Sequence, residues 1–188
     1  MIGYLSGKIL FKEENSVIVE AGGVGWEVFV PLFLWQNFTK DDEISLHIYT
    51  HVREDEIRLF GFSAKANKQV FLSLISVSGI GPKLALNVLS QSKGSGAIVK
   101  AIEKADVEFF SSIKGLGKKG SQRIIVDLKP KIGGIADLEF ESEQDADLLE
   151  ALKGLGFSGE EIKKATKGIK KELSLEEKIK KALKKQDN

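Results

Sequence analysis

The sequence predicts a multi-domain α+β chain: an N-terminal five-stranded β-barrel, a central all-α block and a small C-terminal three-helix bundle. Three observations predict it. Apolar residues alternate with period two as far as Phe62 and then recur at helical spacing to about Pro130. An acidic stretch without either period follows. Beyond it, a lysine- and glutamate-rich tail carries its own helix-start signals. The boundaries read as 1–62 for the barrel, 63–131 for the helical block, 132–144 for a flexible acidic linker and 145–188 for the bundle.

In the first region Leu5, Gly7, Ile9 and Phe11 share one face of a strand. Glu13-Glu14-Asn15-Ser16 turns the chain into Val17-Ile18-Val19, and Gly22-Gly23 turns it again. Val24, Trp26, Val28 and Val30 alternate in a third strand, Ile44, Leu46 and Ile48 in a fourth, and Ile57, Leu59 and Gly61 in a fifth. Five short strands in about 60 residues suit a small barrel. An OB-type barrel leads, and the strand count leaves an SH3-like barrel open. His47 and His51 are the only histidines. Their spacing would place two metal ligands on one helix face, but the alternation around them makes them strand or turn residues, so no metal site is expected.

In the second region Val70, Phe71, Leu74 and Ile75 recur at helical spacing, as do Leu84, Ala85, Val88 and Leu89, and Ile124, Ile125 and Leu128. Ile98, Ile102, Val107, Phe110 and Ile113 mark further short helices, one of them opened by Asp106 as an N-cap. Ile132 to Glu143, with Gly133-Gly134 and four acidic residues, reads as solvated linker. In the tail, Ser158-Gly-Glu-Glu161 and Ser174-Leu-Glu-Glu177 fit capping boxes. Leu148, Leu149 and Leu152, then Ile162, Ala165 and Ile169, then Ile179, Ala182 and Leu183 give three amphipathic helices. A bundle of about 45 residues has little core, and a docking role is expected of it.

Composition narrows the class. With 42% hydrophobic and 29% charged residues the chain is an ordinary globular one. No apolar run approaches the roughly 20 residues of a membrane span, and the start lacks a signal-peptide layout, so a cytoplasmic location is expected. The absence of cysteine excludes disulfides, thiolate catalysis and cysteine-ligated zinc. The net charge of +1 conceals a segregation: −5 over 1–62, +8 over 63–131 and −2 over 132–188. A basic block between acidic flanks fits a localised polyanion contact, although lysine is also a common residue of helix surfaces.

The basic block holds a repeat. Ser78-Gly79-Ile80-Gly81-Pro82-Lys83 and Lys114-Gly115-Leu116-Gly117-Lys118-Lys119 each follow an apolar helical segment and open another helix, 36 residues apart. Paired glycines permit a tight turn with positive φ and let backbone N–H groups approach a phosphate oxygen. The apolar residue between them tucks into the helix pair. The next helix turns its free N–H groups and positive dipole end towards the anion. Pro82 suits a first helical position. Lys83, Lys118 and Lys119 add charge beside the turns, and Arg123 lies one helical turn after Lys119. Such contacts are blind to base sequence. Gly115-Leu-Gly117-Lys-Lys-Gly120 also matches G-x-G-x-x-G, but the segment before it is helical and no βαβ pattern exists. Gly120-Ser121 lacks the lysine of a P-loop. Gly154-Leu155-Gly156 has no adjacent cation and reads as a helix C-terminal turn.

The paired turns resemble tandem helix-hairpin-helix motifs, which bind DNA without sequence preference. Met1-Ile2-Gly3-Tyr4-Leu5-Ser6-Gly7, Gly22-Gly23-Val24-Gly25-Trp26-Glu27-Val28, Val52-Arg53-Glu54-Asp55 and Leu59-Phe60-Gly61-Phe62 narrow the resemblance to the RuvA family. Gly79-Ile80-Gly81-Pro82-Lys83-Leu84-Ala85-Leu86 is similar to that family's first hairpin, and Gly115 to Lys119 with Gln122-Arg123-Ile124-Ile125-Val126 to its second. The likeness runs from residue 1 to about 130 and continues more weakly from Leu148 to Ile169. Gly120 departs from it, standing where the family usually has threonine.

The resemblance implies an OB-fold barrel, a tandem helix-hairpin-helix DNA-binding domain and a mobile UBA-like tail. It implies a homotetramer or paired tetramers (an octamer) around a Holliday junction, the tail docking the RuvB hexameric ATPase, and RuvC as the resolvase. By resemblance Gly79, Gly81, Lys83, Gly115, Gly117, Lys118, Lys119 and Arg123 bind DNA, while Glu54 and Asp55 form an acidic pin with Glu56 beside them. The expected function is structure-specific, sequence-independent binding of four-way junction DNA for branch migration in recombination, DNA-damage (SOS) response and repair. No catalytic residues, cofactor or metal are expected in this chain. The alternative is a helix-hairpin-helix scaffold for other branched or damaged DNA in a repair nuclease complex.

Overall fold

The computed structural model describes residues 1–131 and, beyond them, 148, 151, 152, 154, 155, 157, 159–166 and 174–184. The chain divides into two compact units, Met1–Glu139 and Phe140–Asn188. Five strands open the first: β1 (Tyr4–Lys12), β2 (Ser16–Ala21), β3 (Val24–Phe29), β4 (Glu43–Val52) and β5 (Ile57–Phe62). They close into a barrel in the order β1-β2-β3-β5-β4, with β4 returning to β1. All pairs are antiparallel except β3 with β5. This order is OB-like and decides against the SH3-like alternative. Val17, Val19, Val28, Leu46 and Ile48 fill the barrel. Gly61 is required there, since a Cβ would stand 2.6 Å from a Val28 methyl.

Alternation misplaces Phe11, Val24 and Ile57, all of them exposed. A register shift between Ile9 and Phe11 pairs Phe11 with Ile18, so Phe11 faces solvent at 50% exposure instead of entering the barrel. Ile57 begins β5 opposite Val52, where the hairpin has run past the barrel wall, and both are exposed. Between β3 and β4 lies a helix the alternation does not announce, α1 (Leu32–Asn37). Its Leu34 and Trp35 pack against the barrel core. The Trp35 indole N–H donates to the Glu13 carbonyl at 2.8 Å, and the Lys12 ammonium sits 3.9 Å from the ring centroid.

Five helices follow: α2 (Lys65–Ile75), α3 (Pro82–Gln91), α4 (Ser95–Glu103), α5 (Val107–Ser111) and α6 (Lys118–Leu128), with a 3₁₀ turn at Lys129–Lys131. Phe71, Leu74, Leu89, Ile98, Ile102, Phe110, Ile124 and Leu128 make their core. The barrel joins this core directly. Leu59 of β5 points into the barrel, while Phe60 and Phe62 point into the helices. Ser90 of α3 accepts from the Leu32 N–H at 2.9 Å and donates to the Leu86 carbonyl, which ties α3 to α1. Asp106 caps α5 as expected, accepting from the Phe109 N–H at 2.9 Å. The start of α4 follows Gly94, which has no side chain. There the buried Asn67 of α2 supplies the cap, its side-chain oxygen 2.9 Å from the Ser95 nitrogen.

In the second unit residues 148, 151, 152 and 154 are helical, followed by α7 (Gly159–Thr166) and α8 (Leu175–Lys184). Leu148, Leu152, Ile162, Ala165 and Ala182 form its small core. The capping box at α8 is present: the Ser174 N–H donates to the Glu177 carboxylate at 3.1 Å, and the Glu177 N–H to the Ser174 hydroxyl at 3.4 Å. Leu183 is exposed rather than on the apolar face, because Ala182 takes the inward position. The Phe157 N–H reaches back to the Leu152 carbonyl at 3.1 Å, a helix-closing bond that fits the turn expected at Gly154. The linker expected over 132–144, with Leu149, Gly156, Ser158 and Ile169, lies outside the described residues.

Candidate nucleic-acid interface

The two glycine turns are built alike, bond for bond. In the first, the Val77 N–H donates to Leu74 at 3.1 Å, Ile80 to Val77 at 3.0 Å, and Ala85 to Gly81 at 2.9 Å. In the second, Ile113 donates to Phe110 at 3.1 Å, Leu116 to Ile113 at 3.0 Å, and Ser121 to Gly117 at 3.0 Å. Ile80 and Leu116 are buried in the helical core, as the anchoring role requires.

Only the first glycine of each pair adopts the left-handed conformation, Gly79 at φ +88 and Gly115 at φ +92. Gly81 and Gly117 are the N-caps of α3 and α6 in extended conformation, at φ −86 and −76. The positive φ that paired glycines permit is used at one residue of each turn, and the next already leads into the helix. What the second glycine offers is open space, since a Cβ on either would meet nothing within 4 Å.

Gly79, Gly81, Lys83, Gly115, Gly117, Lys118, Lys119 and Arg123 are all exposed. Neither α3 nor α6 has a side-chain cap. Among the described residues, no acceptor takes the N–H groups of Gly81, Lys83 and Leu84, or of Gly117, Lys118, Lys119 and Gly120. Each turn therefore presents bare amide hydrogens at a helix start with lysine beside them, the arrangement that binds an anion.

The two turns are also joined to each other. Asn87 of α3 donates its side-chain amide to the Lys114 carbonyl at 2.8 Å. Arg123 of α6 donates from Nη1 to the Ser78 carbonyl at 3.1 Å. Arg123, next to the second turn in sequence, thus rests against the first. Leu84 packs beneath Gly115, where a Cβ would touch its methyl at 3.4 Å.

Models of three domains match the chain: the RuvA N-terminal domain over residues 1–61, a SAM-like helix-hairpin-helix tandem over 71–131 and the RuvA C-terminal domain over 144–185. Relatives match from end to end. A Holliday junction branch migration complex subunit RuvA from Halothermothrix orenii is 40% identical, the match covering 97% of this chain and 96% of the relative. Proteins of the same name from Oceanobacillus iheyensis and Syntrophotalea carbinolica are 38% and 36% identical, with 97% and 98% of this chain covered and 98% of each relative. The chain belongs to the RuvA family.

The residues that the RuvA resemblance assigns to an acidic pin lie at the tip of the β4–β5 hairpin. Glu54 and Asp55 are exposed there, and the Arg53 N–H closes the hairpin on the Glu56 carbonyl at 2.9 Å. Glu56 is set apart from them: Arg58 holds its carboxylate through Nε at 2.8 Å and Nη2 at 2.6 Å. Among the described residues neither Glu54 nor Asp55 has an ion pair. Gly120 sits in the first turn of α6. A Cβ there would press on a Leu116 methyl at 3.0 Å, so a larger residue requires Leu116 to move.

His47 and His51 lie on β4 as expected. Four strand residues span about 13 Å, too far for one metal ion. His51 accepts from the Arg53 Nε–H at 3.1 Å, and His47 meets the Tyr4 ring edge-on. Among the described residues no three His, Cys, Asp or Glu side chains cluster as metal ligands, and no helix is long and apolar enough to cross a membrane.

Proposed function

We propose that the chain binds four-way junction DNA through its two glycine turns, without regard to base sequence, and holds the junction open for branch migration in recombination and repair. The observation that carries this reading is the pair of exposed turns with unpaired N–H groups and flanking lysines, repeated in one helical block. Each grips a phosphate with backbone donors and adds Coulomb attraction from Lys83, or from Lys118 and Lys119. The relatives' name, Holliday junction branch migration complex subunit, favours a junction over other DNA.

In this reading the chain works as a homotetramer, with an octamer of two stacked tetramers as its larger form. Four copies of Glu54 and Asp55 then converge on the crossover. Their carboxylates repel the phosphates and keep the arms apart in a square arrangement. The C-terminal unit docks the RuvB hexameric ATPase, which supplies the ATP hydrolysis, and RuvC resolves the junction. The chain itself performs no chemistry.

Gel-shift competition between a synthetic four-way junction and a linear duplex of equal length tests the reading. The expected result is a preference of at least tenfold for the junction. Equal affinity overturns it and returns the chain to the class of general branched-DNA scaffolds. A chain ending at Glu143 is expected to keep junction binding and lose stimulation of the motor.

A further inference from the structure

The 36-residue repeat pairs Asn87 with Arg123, and Ser78 with Lys114. The two bonds between the turns obey that pairing: Asn87 reaches the Lys114 carbonyl, and Arg123 reaches the Ser78 carbonyl. The second helix of each copy therefore crosses to the mouth of the other copy's turn. The crossings differ in charge. At the second turn the crossing residue is the neutral Asn87, and Lys118 and Lys119 supply two cations from α6 itself. At the first turn Pro82 occupies the place of Lys118, so α3 opens with Lys83 alone. There the crossing residue is Arg123.

We propose that Arg123 is a phosphate-binding residue of the first turn, delivered from the opposite copy of the repeat in place of the cation that Pro82 displaces. The proposal rests on the reading of the turns as phosphate sites. Each turn then carries two cations, Lys83 with Arg123 and Lys118 with Lys119. The guanidinium suits the task. It has five N–H donors in a rigid fork, and only Nη1 is engaged by Ser78, which leaves donors for a phosphate at an exposed position. The bond to Ser78 also fixes the group before DNA arrives, so less side-chain freedom is lost on binding. Pro82 is thereby compatible with full charge at the first turn: it sets the helix start while its missing cation comes from α6.

The test is a pair of double-mutant cycles on the full chain, read as fluorescence anisotropy of a labelled four-way junction. The single variants are Arg123→Gln, Lys83→Gln and Lys119→Gln, all at exposed positions. The doubles join Arg123→Gln to each lysine variant. Cations on one phosphate share a single contact, so the Arg123/Lys83 double is expected to lose clearly less affinity than the product of its single losses. The Arg123/Lys119 double is expected to match its product within about twofold, as independent sites do. Coupling to Lys119 as large as that to Lys83 overturns the proposal, and so does coupling to neither. An Arg123→Gln chain that binds like the parent while both lysine variants weaken also overturns it. If all three single variants bind like the parent, the phosphate reading of the turns itself fails, which is a different result.

Discussion

The Phe71 ring of α2 lies 4.9 Å from the Phe62 ring of β5, centroid to centroid, and the same ring lies 5.3 Å from Phe60 and 5.5 Å from Tyr49. One helical side chain therefore meets three barrel aromatics, and no face of Phe71 is left to solvent. Barrel and helical block share this contact, so the hairpin with Glu54 and Asp55 and the two glycine turns ride on one body. Phe71→Ala is expected to destabilise the chain by about 3–5 kcal/mol, read as a lowered urea midpoint. A midpoint like the parent's would mean that the barrel and helices stand independently.

The two glycines of each turn are expected to respond differently to alanine. Gly79→Ala and Gly115→Ala force a side chain into the left-handed region and should each cost about 1–2 kcal/mol of stability. Gly81→Ala and Gly117→Ala keep an ordinary φ and open surroundings, so stability should change by under about 1 kcal/mol. The added methyl would nevertheless stand where a phosphate approaches, and junction affinity should fall. Thermal melts and junction titrations on the four variants separate the two effects. A Gly81→Ala chain that binds like the parent would remove the close approach from the account.

Salt dependence counts the phosphates. Removing both cations of one turn, Lys83→Gln with Arg123→Gln or Lys118→Gln with Lys119→Gln, should flatten the slope of log affinity against log salt by about 0.9. Titrations over a range of salt concentrations measure it, and an unchanged slope in either double variant would show that its cations meet no phosphate.

Much of this arrangement is legible in the sequence because its causes are local. Strand alternation, the caps at Asp106 and Ser174 and the repeat of Gly-apolar-Gly each depend on residues within a few positions. The unannounced features depend on distant partners. Phe11 leaves the barrel because β1 shifts register against β2. The six residues of α1 are too few to show a period. Asn67 caps a helix that begins 28 residues later. Arg123 looks like part of the second turn because Lys119 lies one helical turn before it, yet its bond goes to Ser78, 45 residues back.

The α8 cap should report on pH. Hydrogen bonds from the Ser174 N–H and then its hydroxyl hold the Glu177 carboxyl below the ordinary glutamate range. A folded value below the unfolded one stabilises the helix above the ordinary range, and that contribution is lost as pH falls through the depressed value. Carboxyl carbon NMR should show Glu177 titrating below the ordinary glutamate range. Ser174→Ala should raise it towards that range, and an ordinary titration of Glu177 in the parent chain would contradict the cap.

The most direct measurement follows glycine amides by NMR in the full chain labelled with nitrogen-15 glycine, as a four-way junction is added. The signals of Gly79, Gly81, Gly115 and Gly117 should shift or broaden first, while Gly22 and Gly23 of the β2–β3 turn stay in place. Turn glycines that do not move while junction binds elsewhere on the chain would contradict the account.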